Sequence, residues 1–221
     1  MPTVPSVRVY VDGFNLYRRC LQARQHLKWL DLVSLCQKLM PEHHVDHVHY
    51  LTAHLRPGLL VDPQSPVRQQ MYLRALRAHP AVSIHLGSFR NDKRLMPVHP
   101  QRIDHATGRW VMTAVRKLEE KGSDVNPGTR MTADAVTGSA DMVVMLSNDS
   151  DLAGTMRMLK HEYGFRTGII FPTPSSRSSK ELIKTQPDFV AHVTEEALAA
   201  SQFAEVLRDS NGSFHRPPKW T

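Results

Sequence analysis

Apolar positions come in short bursts separated by stretches where they recur every three or four residues, the pattern of strands alternating with amphipathic helices. The first burst, Val7 to Val11, is broken only by Arg8 and closes on Asp12-Gly13, too short for a helix and ended by turn chemistry. Phe14, Tyr17 and Leu21 then recur at helical spacing, and Asp31 is placed to cap a second helix with Leu32, Leu35, Cys36 and Leu39 on its apolar face. Val45 to Leu55 reads as the next strand. Ser65-Pro66 opens a helix whose expected buried stripe is Val67, Met71, Ala75 and Ala78, and Ala81 to Leu86 is a further strand.

From Gly87 to about Val115 the periodicity breaks up around Pro97, Pro100 and Gly108, which predicts a long basic excursion, residues 88–118, with a hairpin turning near Ala106-Thr107-Gly108. Asn126-Pro127 repeats the cap-then-proline signal, and Asp141 to Ser147 is the strongest strand. Leu152, Met156 and Leu159 mark a helix, Thr167 to Phe171 a buried strand, and Ser178 to Lys184 a short helix capped by its serine cluster. Thr194 opens a last helix containing Ala199 and Phe203. This order implies right-handed crossovers and an α/β fold, a three-layer sandwich with a mainly parallel central sheet. One domain over residues 1–208 is expected, followed by a polar tail, 209–221, that packs late or not at all.

The 221 residues are 41% hydrophobic and 22% charged, enough for a core without disulfide or structural zinc. Cys20 and Cys36 read as free thiols of a reducing compartment, and no export signal or apolar membrane span is apparent, so a cytoplasmic address is expected. Lys plus Arg, 28, exceeds Asp plus Glu, 21, giving a net charge of +7 that makes a polyanionic partner plausible. Arg90, Lys93, Arg94, Arg102, Arg109, Arg116 and Lys117 place most of that excess in the excursion.

Ligand sites of parallel sheets lie beyond the carboxyl ends of the strands, and three acidic segments fall there: Asp12 after the first strand, Asp149 and Asp151 after the strongest, and Asp124 before the Asn126-Pro127 helix. Each alone is explained as a turn or helix-cap residue. Crowded within roughly 5 Å, they would repel and raise one another's pKa unless a cation neutralised them, and oxygen-only ligands suit Mg2+ or Mn2+. Among the histidines, His43-x-x-x-His47 has a metal-like interval, but on a strand it does not build the one-face geometry of a helix, and zinc is not expected there.

The segments Val-Tyr-Val-Asp-Gly-Phe-Asn-Leu-Tyr, Glu-Glu-Lys-Gly-Ser-Asp-Val and Ser-Asn-Asp-Ser-Asp-Leu, in this order, resemble the NYN domain family, PIN-like ribonucleases of the LabA type. The resemblance runs from about Val7 to Pro187, with similarity in the tail around Arg216-Pro217-Pro218-Lys219-Trp220 as well. It implies a PIN-like α/β/α sandwich in which Asp12, Asp124, Asp149 and Asp151 hold Mg2+ or Mn2+ and hydrolyse RNA phosphodiester bonds. Asn15 stands beside these acids in the family pattern, Ser147 and Asn148 support them, and Lys121 and Arg130 are candidate phosphate contacts. Asp134 matches a further acidic position, although ten residues of mostly helix would carry it about 15 Å from Asp124. Gly128, next to Pro127, departs from the family's usual apolar helix start, and Asn148 replaces a common glycine.

The resulting expectation is a metal-dependent endoribonuclease acting on single-stranded RNA, with Phe14, Tyr17, Phe89 and Trp110 as stacking candidates. The alternatives are an RNA-binding adaptor with little turnover and a phosphatase for small phosphoesters. Pairing into a homodimer stays open.

Overall fold

The computed structural model describes residues 5–55, 62–121 and 125–220; Asp124 and residues 56–61 lie outside them. A seven-stranded sheet runs through the molecule in the order β4-β3-β2-β1-β5-β6-β7. Its members are β1 (Ser6–Asp12), β2 (His44–Ala53), β3 (Val82–Pro97), β4 (Met112–Lys121), β5 (Met142–Leu146), β6 (Arg166–Phe171) and β7 (Phe189–His192). All neighbouring pairs are parallel except β3 with β4. Crossover helices put apolar stripes on both faces of this sheet, giving the expected three-layer α/β/α sandwich.

On one face lie α1 (Gly13–Leu16), α2 (Leu32–Leu39), α3 (Ser65–Arg77) and α7 (Glu195–Ala199), packed on Val7, Val9, Val11, Val48 and Val144. On the other lie α4 (Val125–Val136), α5 (Ala153–His161) and α6 (Lys180–Ile183), packed on Tyr10, Leu51, Val143, Met145, Ile169 and Phe171. The helix starts follow the polar signals in the chain. The Asp31 carboxylate accepts from the amides of Val33 and Ser34, Ser179 Oγ from Leu182, and Thr194 Oγ1 from Ala197.

Four expectations are revised. The apolar stripe of α3 is Tyr72, Leu73, Ala75 and Leu76, whereas Val67 is 58% exposed and Ala78 lies at the surface. The strand expected to end at Leu86 runs on into the excursion: β3 is sixteen residues long and, beyond Gly87, pairs antiparallel with β4 as the two strands of the expected hairpin. The turn foreseen near Gly108 does close its far end, with Asp104 accepting from the Ala106 and Thr107 amides and Gly108 at φ +65°. The last helix stops at Ala199, and Phe203 lies past its end.

The tail is the fourth revision, for it belongs to the core. Strands β8 (Val206–Asp209) and β9 (Gly212–His215) form a hairpin, and Phe214 and Trp220 are buried. They close on Trp29, fully buried on the first face, whose ring lies 6.4 Å from Phe214, 6.3 Å from Trp220 and 5.9 Å from Phe203. The Trp29 indole N–H donates to the Ala204 carbonyl at 2.8 Å. Arg74 grips Asp209 through two bonds of 2.7 Å and lies over the Phe214 ring. Cys20 and Cys36 are free, and burial pushes their thiols up to about 11 and about 12. Among the described residues no helix is long and apolar enough to cross a membrane.

Candidate functional site

The carboxyl end of β1 delivers Asp12 to the rim of the sheet, where its carboxylate caps α1 by accepting from the Asn15 amide at 2.9 Å. The other oxygen accepts from Ser147 Oγ at 3.0 Å, across the neighbouring strand β5. Burial raises the Asp12 carboxyl above its ordinary value, the two hydrogen bonds pull it back, and the charge of Asp149 adds to the rise. Asn15 Oδ1 accepts from the Asn148 amide at 3.3 Å. The Asn148 side chain spans to the next loop, donating to the Arg177 carbonyl and accepting from the Ser179 amide.

Asp149 caps the short turn that follows β5, accepting from the Asp151 amide at 3.1 Å. Asp12, Asn15, Ser147, Asn148 and Asp149 are thus brought together. Asp151 is exposed and borders a shallow cleft between α4 and α5 with Gly128, Thr132 and Thr155. Asp124 and the side chain of Lys121 fall outside the described residues. Among the described residues, which leave out Asp124, no three His, Cys, Asp or Glu side chains gather where one ion could take them all.

Further down the same face lies a polar cluster that sequence spacing missed. Register pairs Arg8 with His47 and Tyr10 with His49, and places Ser83 beside His49 on β3. Period-two alternation therefore gathers His47, His49 and His85 on one face, with α4 laying Asp134 against them. Asp134 accepts from Arg8 Nη1 at 2.9 Å and from the Tyr10 hydroxyl, so the acidic position held apart above is a partner of the sheet. The His49 ring stacks on Tyr10, with centroids 4.8 Å apart, and faces one nitrogen to each neighbour. Its Nδ1 is 2.9 Å from His85 Nε2, and its Nε2 is 3.2 Å from the Asp134 carboxylate. Those nitrogens point apart, which keeps a single ion from taking His49, His85 and Asp134 together.

Burial, then the neighbouring charges of Arg8 or Arg130 and the other imidazoles, pushes His49 and His85 down to about 4, while Asp134 pulls the other way. Their protons bind more readily to the unfolded chain, where the ordinary value of 6.5 applies. Stability is therefore full above pH 6.5 and falls as pH drops toward 4, by on the order of 3 kcal/mol for the nine-tenths-buried His49 alone. Urea titrations at pH 7.5, 5.5 and 4.5 should show the midpoint falling between the first two, and His49→Gln should flatten that fall. An unchanged fall in the variant assigns the pH dependence elsewhere.

A second, aromatic-walled space lies across the sheet. A pocket of about 470 Å³ is walled by Phe14, Tyr17, Tyr50, Tyr72 and Trp220 and carries Lys28, Arg68 and Lys219. Gly13 is required at its floor, because a Cβ there would stand 2.7 Å from the Tyr50 ring. Arg68 and Lys219 share the Asp62 carboxylate, whose pKa they help hold down at about 2. The Tyr72 hydroxyl donates to the Leu30 carbonyl at 2.9 Å, fixing that ring as a wall. Only an aromatic spacing signal from Phe14 and Tyr17 pointed here in the sequence. The remaining walls arrive from β2, α3 and the tail.

No protein-family model matches the chain. A solved protein of unknown function from Vibrio parahaemolyticus shares the fold, at a TM-score of 0.52 and 16% identity, covering 92% of this chain and 99% of its own. The chain is also similar to 6-hydroxy-3-succinoylpyridine 3-monooxygenase of Pseudomonas putida, 29% identical over 234 aligned positions, which cover 96% of this chain and 74% of that protein. That relative is an oxidoreductase acting on a pyridine ring. It overturns the expectation of a metal-dependent ribonuclease or other phosphodiesterase, and with it the RNA-binding adaptor and the nuclease, RNA-binding and metal-binding roles attached to them. The physical reason is visible at the rim: Asp12 and Asp149 each serve as a cap, the ordinary duty of an acid at the end of a strand.

Proposed function

We propose that the protein is a monooxygenase-type oxidoreductase that hydroxylates a small aromatic acid bound between Tyr17, Tyr50, Tyr72 and Trp220. The observation that carries this reading is the similarity, along 96% of the chain, to a monooxygenase whose substrate is a hydroxylated pyridine bearing a succinoyl chain. The pocket supports it by size and chemistry. About 470 Å³ suits one ring with a short side chain, aromatic walls hold a flat ring, and four cations against the single acid Asp62 favour an acidic ligand.

In this role the chain orients the ring and keeps bulk water from its faces, while the cationic side of the pocket holds the anionic end. The reaction class places one atom of O2 on the ring and reduces the other to water with two electrons from a reductant. On the same reading, the three acidic motifs mark an NYN-type scaffold in which the acid rim serves architecture.

The test is to incubate the purified chain with 6-hydroxy-3-succinoylpyridine under 18O2, with reduced nicotinamide nucleotide, with and without added flavin. The expected result is a product carrying a single 18O atom, lost when Tyr72→Ala opens the wall, together with calorimetric binding of the substrate. Absence of both binding and label overturns the proposal.

A further inference from the structure

Lys28 follows the turn Gln25–Leu27 and is 6% exposed, an unusual place for an ammonium. Its Nζ donates to the Tyr17 hydroxyl at 3.2 Å and lies 5.0 Å from the centre of that ring. Both partners are neutral, and no carboxylate among the described residues forms an ion pair with it. The other pocket cations differ: Arg68 and Lys219 share the Asp62 carboxylate, and Arg18 is exposed to solvent. A buried ammonium without a counter-charge is costly, and cation–π contact with a phenol offsets only part of that cost. The missing negative charge is therefore expected from the ligand, because the Lys28 side chain borders the pocket.

We infer that Lys28 is the specificity residue of this pocket, receiving an ionised carboxylate of a ring-bearing ligand, with Tyr17 as its positioning residue. This rests on the reading of the pocket as the substrate site and adds the group that selects acids over neutral analogues of the same shape. Tyr17 contributes by accepting from Nζ through its hydroxyl, so that the ammonium points to one spot instead of sampling solvent. Lys28→Arg preserves charge and Lys28→Met preserves length, which separates electrostatics from packing.

Two probes differing only in charge decide the matter: 6-hydroxynicotinate and its neutral amide, titrated calorimetrically into the full chain. The acid should bind at least about tenfold more tightly than the amide, as a charge-assisted contact in a shielded pocket provides. Lys28→Met should erase that preference by weakening the acid alone, and Lys28→Arg should retain most of it. Without ligand, Lys28→Met should melt at or above the parent temperature, since it removes an uncompensated charge. Equal binding of acid and amide by the parent chain, or a preference that survives Lys28→Met, removes Lys28 as the anchor and leaves the pocket reading standing. Binding of neither probe removes the pocket reading and this inference with it. Should Lys28→Met fail to fold, Lys28→Gln, which keeps a polar head without the charge, carries the same comparison.

Discussion

Deleting residues 209–221 should leave a chain with no cooperative unfolding transition at 25 °C. The deletion removes Phe214 and Trp220 from the cluster around Trp29, strips β8 of its partner strand and frees Arg74 from its two bonds to Asp209. A buried Phe or Trp cut to Ala costs about 3–5 kcal/mol, so losing both approaches the whole stability of a domain, about 5–15 kcal/mol. The exposed wall of Trp29 and Tyr72 would then face water, since Trp220 lies 6.2 Å from the Tyr72 ring. Calorimetry of the truncated chain checks this. A truncated protein melting within a few degrees of the full one would mean that the hairpin only rests on a core complete without it. Trp220→Ala alone should cost about 3 kcal/mol and open the pocket, separating stability from ligand binding.

Asp134→Ala should be the most damaging substitution of a charged residue on the opposite face. The carboxylate serves Arg8, the Tyr10 hydroxyl and His49 at once, and α4 covers all of them. Alanine takes the acceptor from a guanidinium and a phenol; breaking a fully buried pair costs about 3–5 kcal/mol, and this one is part-buried. Arg8 keeps a weaker contact with the more exposed Asp46 at 3.5 Å, which places the expected loss near about 3 kcal/mol. Asp134→Asn keeps an acceptor and should lose about half as much. The phenol reports on the change as well. Burial and then Asp134 raise the Tyr10 pKa, so in Asp134→Ala its titration should move down toward the ordinary 10 in an ultraviolet pH titration. A urea midpoint unchanged by Asp134→Ala would show that α4 is held by its apolar stripe alone.

Strands and caps were legible because their signals are local. Met142–Leu146 is apolar on both faces and has nowhere to go but the middle of a sheet, and Asp31, Ser179 and Thr194 cap helices as side chains that reach the next turn. What stayed hidden depends on contacts between distant segments. The extension of β3 along β4 turns both faces toward solvent over residues 93–97, so it carries no apolar alternation to betray its length. The tail looks like a polar end because Phe214, Pro217 and Trp220 are its only buried members among the described residues, and the partner of the two rings, Trp29, lies almost two hundred residues earlier. The histidines of β2 became a cluster only when pairing with β3 supplied His85.

The site was legible as a place and not as a purpose. Asp12, Ser147, Asn148 and Asp149 do converge at the carboxyl rim, since strand order puts β1 beside β5. An acid at a strand end reads the same whether it caps a helix or grips a metal, and spacing does not separate those duties. The aromatic pocket gave almost no sequence signal. Its walls are drawn from positions between 13 and 72 and from 219 and 220, and each wall residue alone is ordinary core or surface.

The two borders of the sheet end in different ways. On one side β7 is only four residues long, and on the other the ribbon sets Lys93 opposite Arg116, both exposed. Like charges across a ladder slightly weaken the ribbon itself. Their benefit appears when molecules crowd: an arriving copy would bring identical cations to the same row of open amides and carbonyls, and the short border offers too little length to hold it. Concentrated solutions of the protein should therefore resist growing into fibrils through end-on joining of sheets.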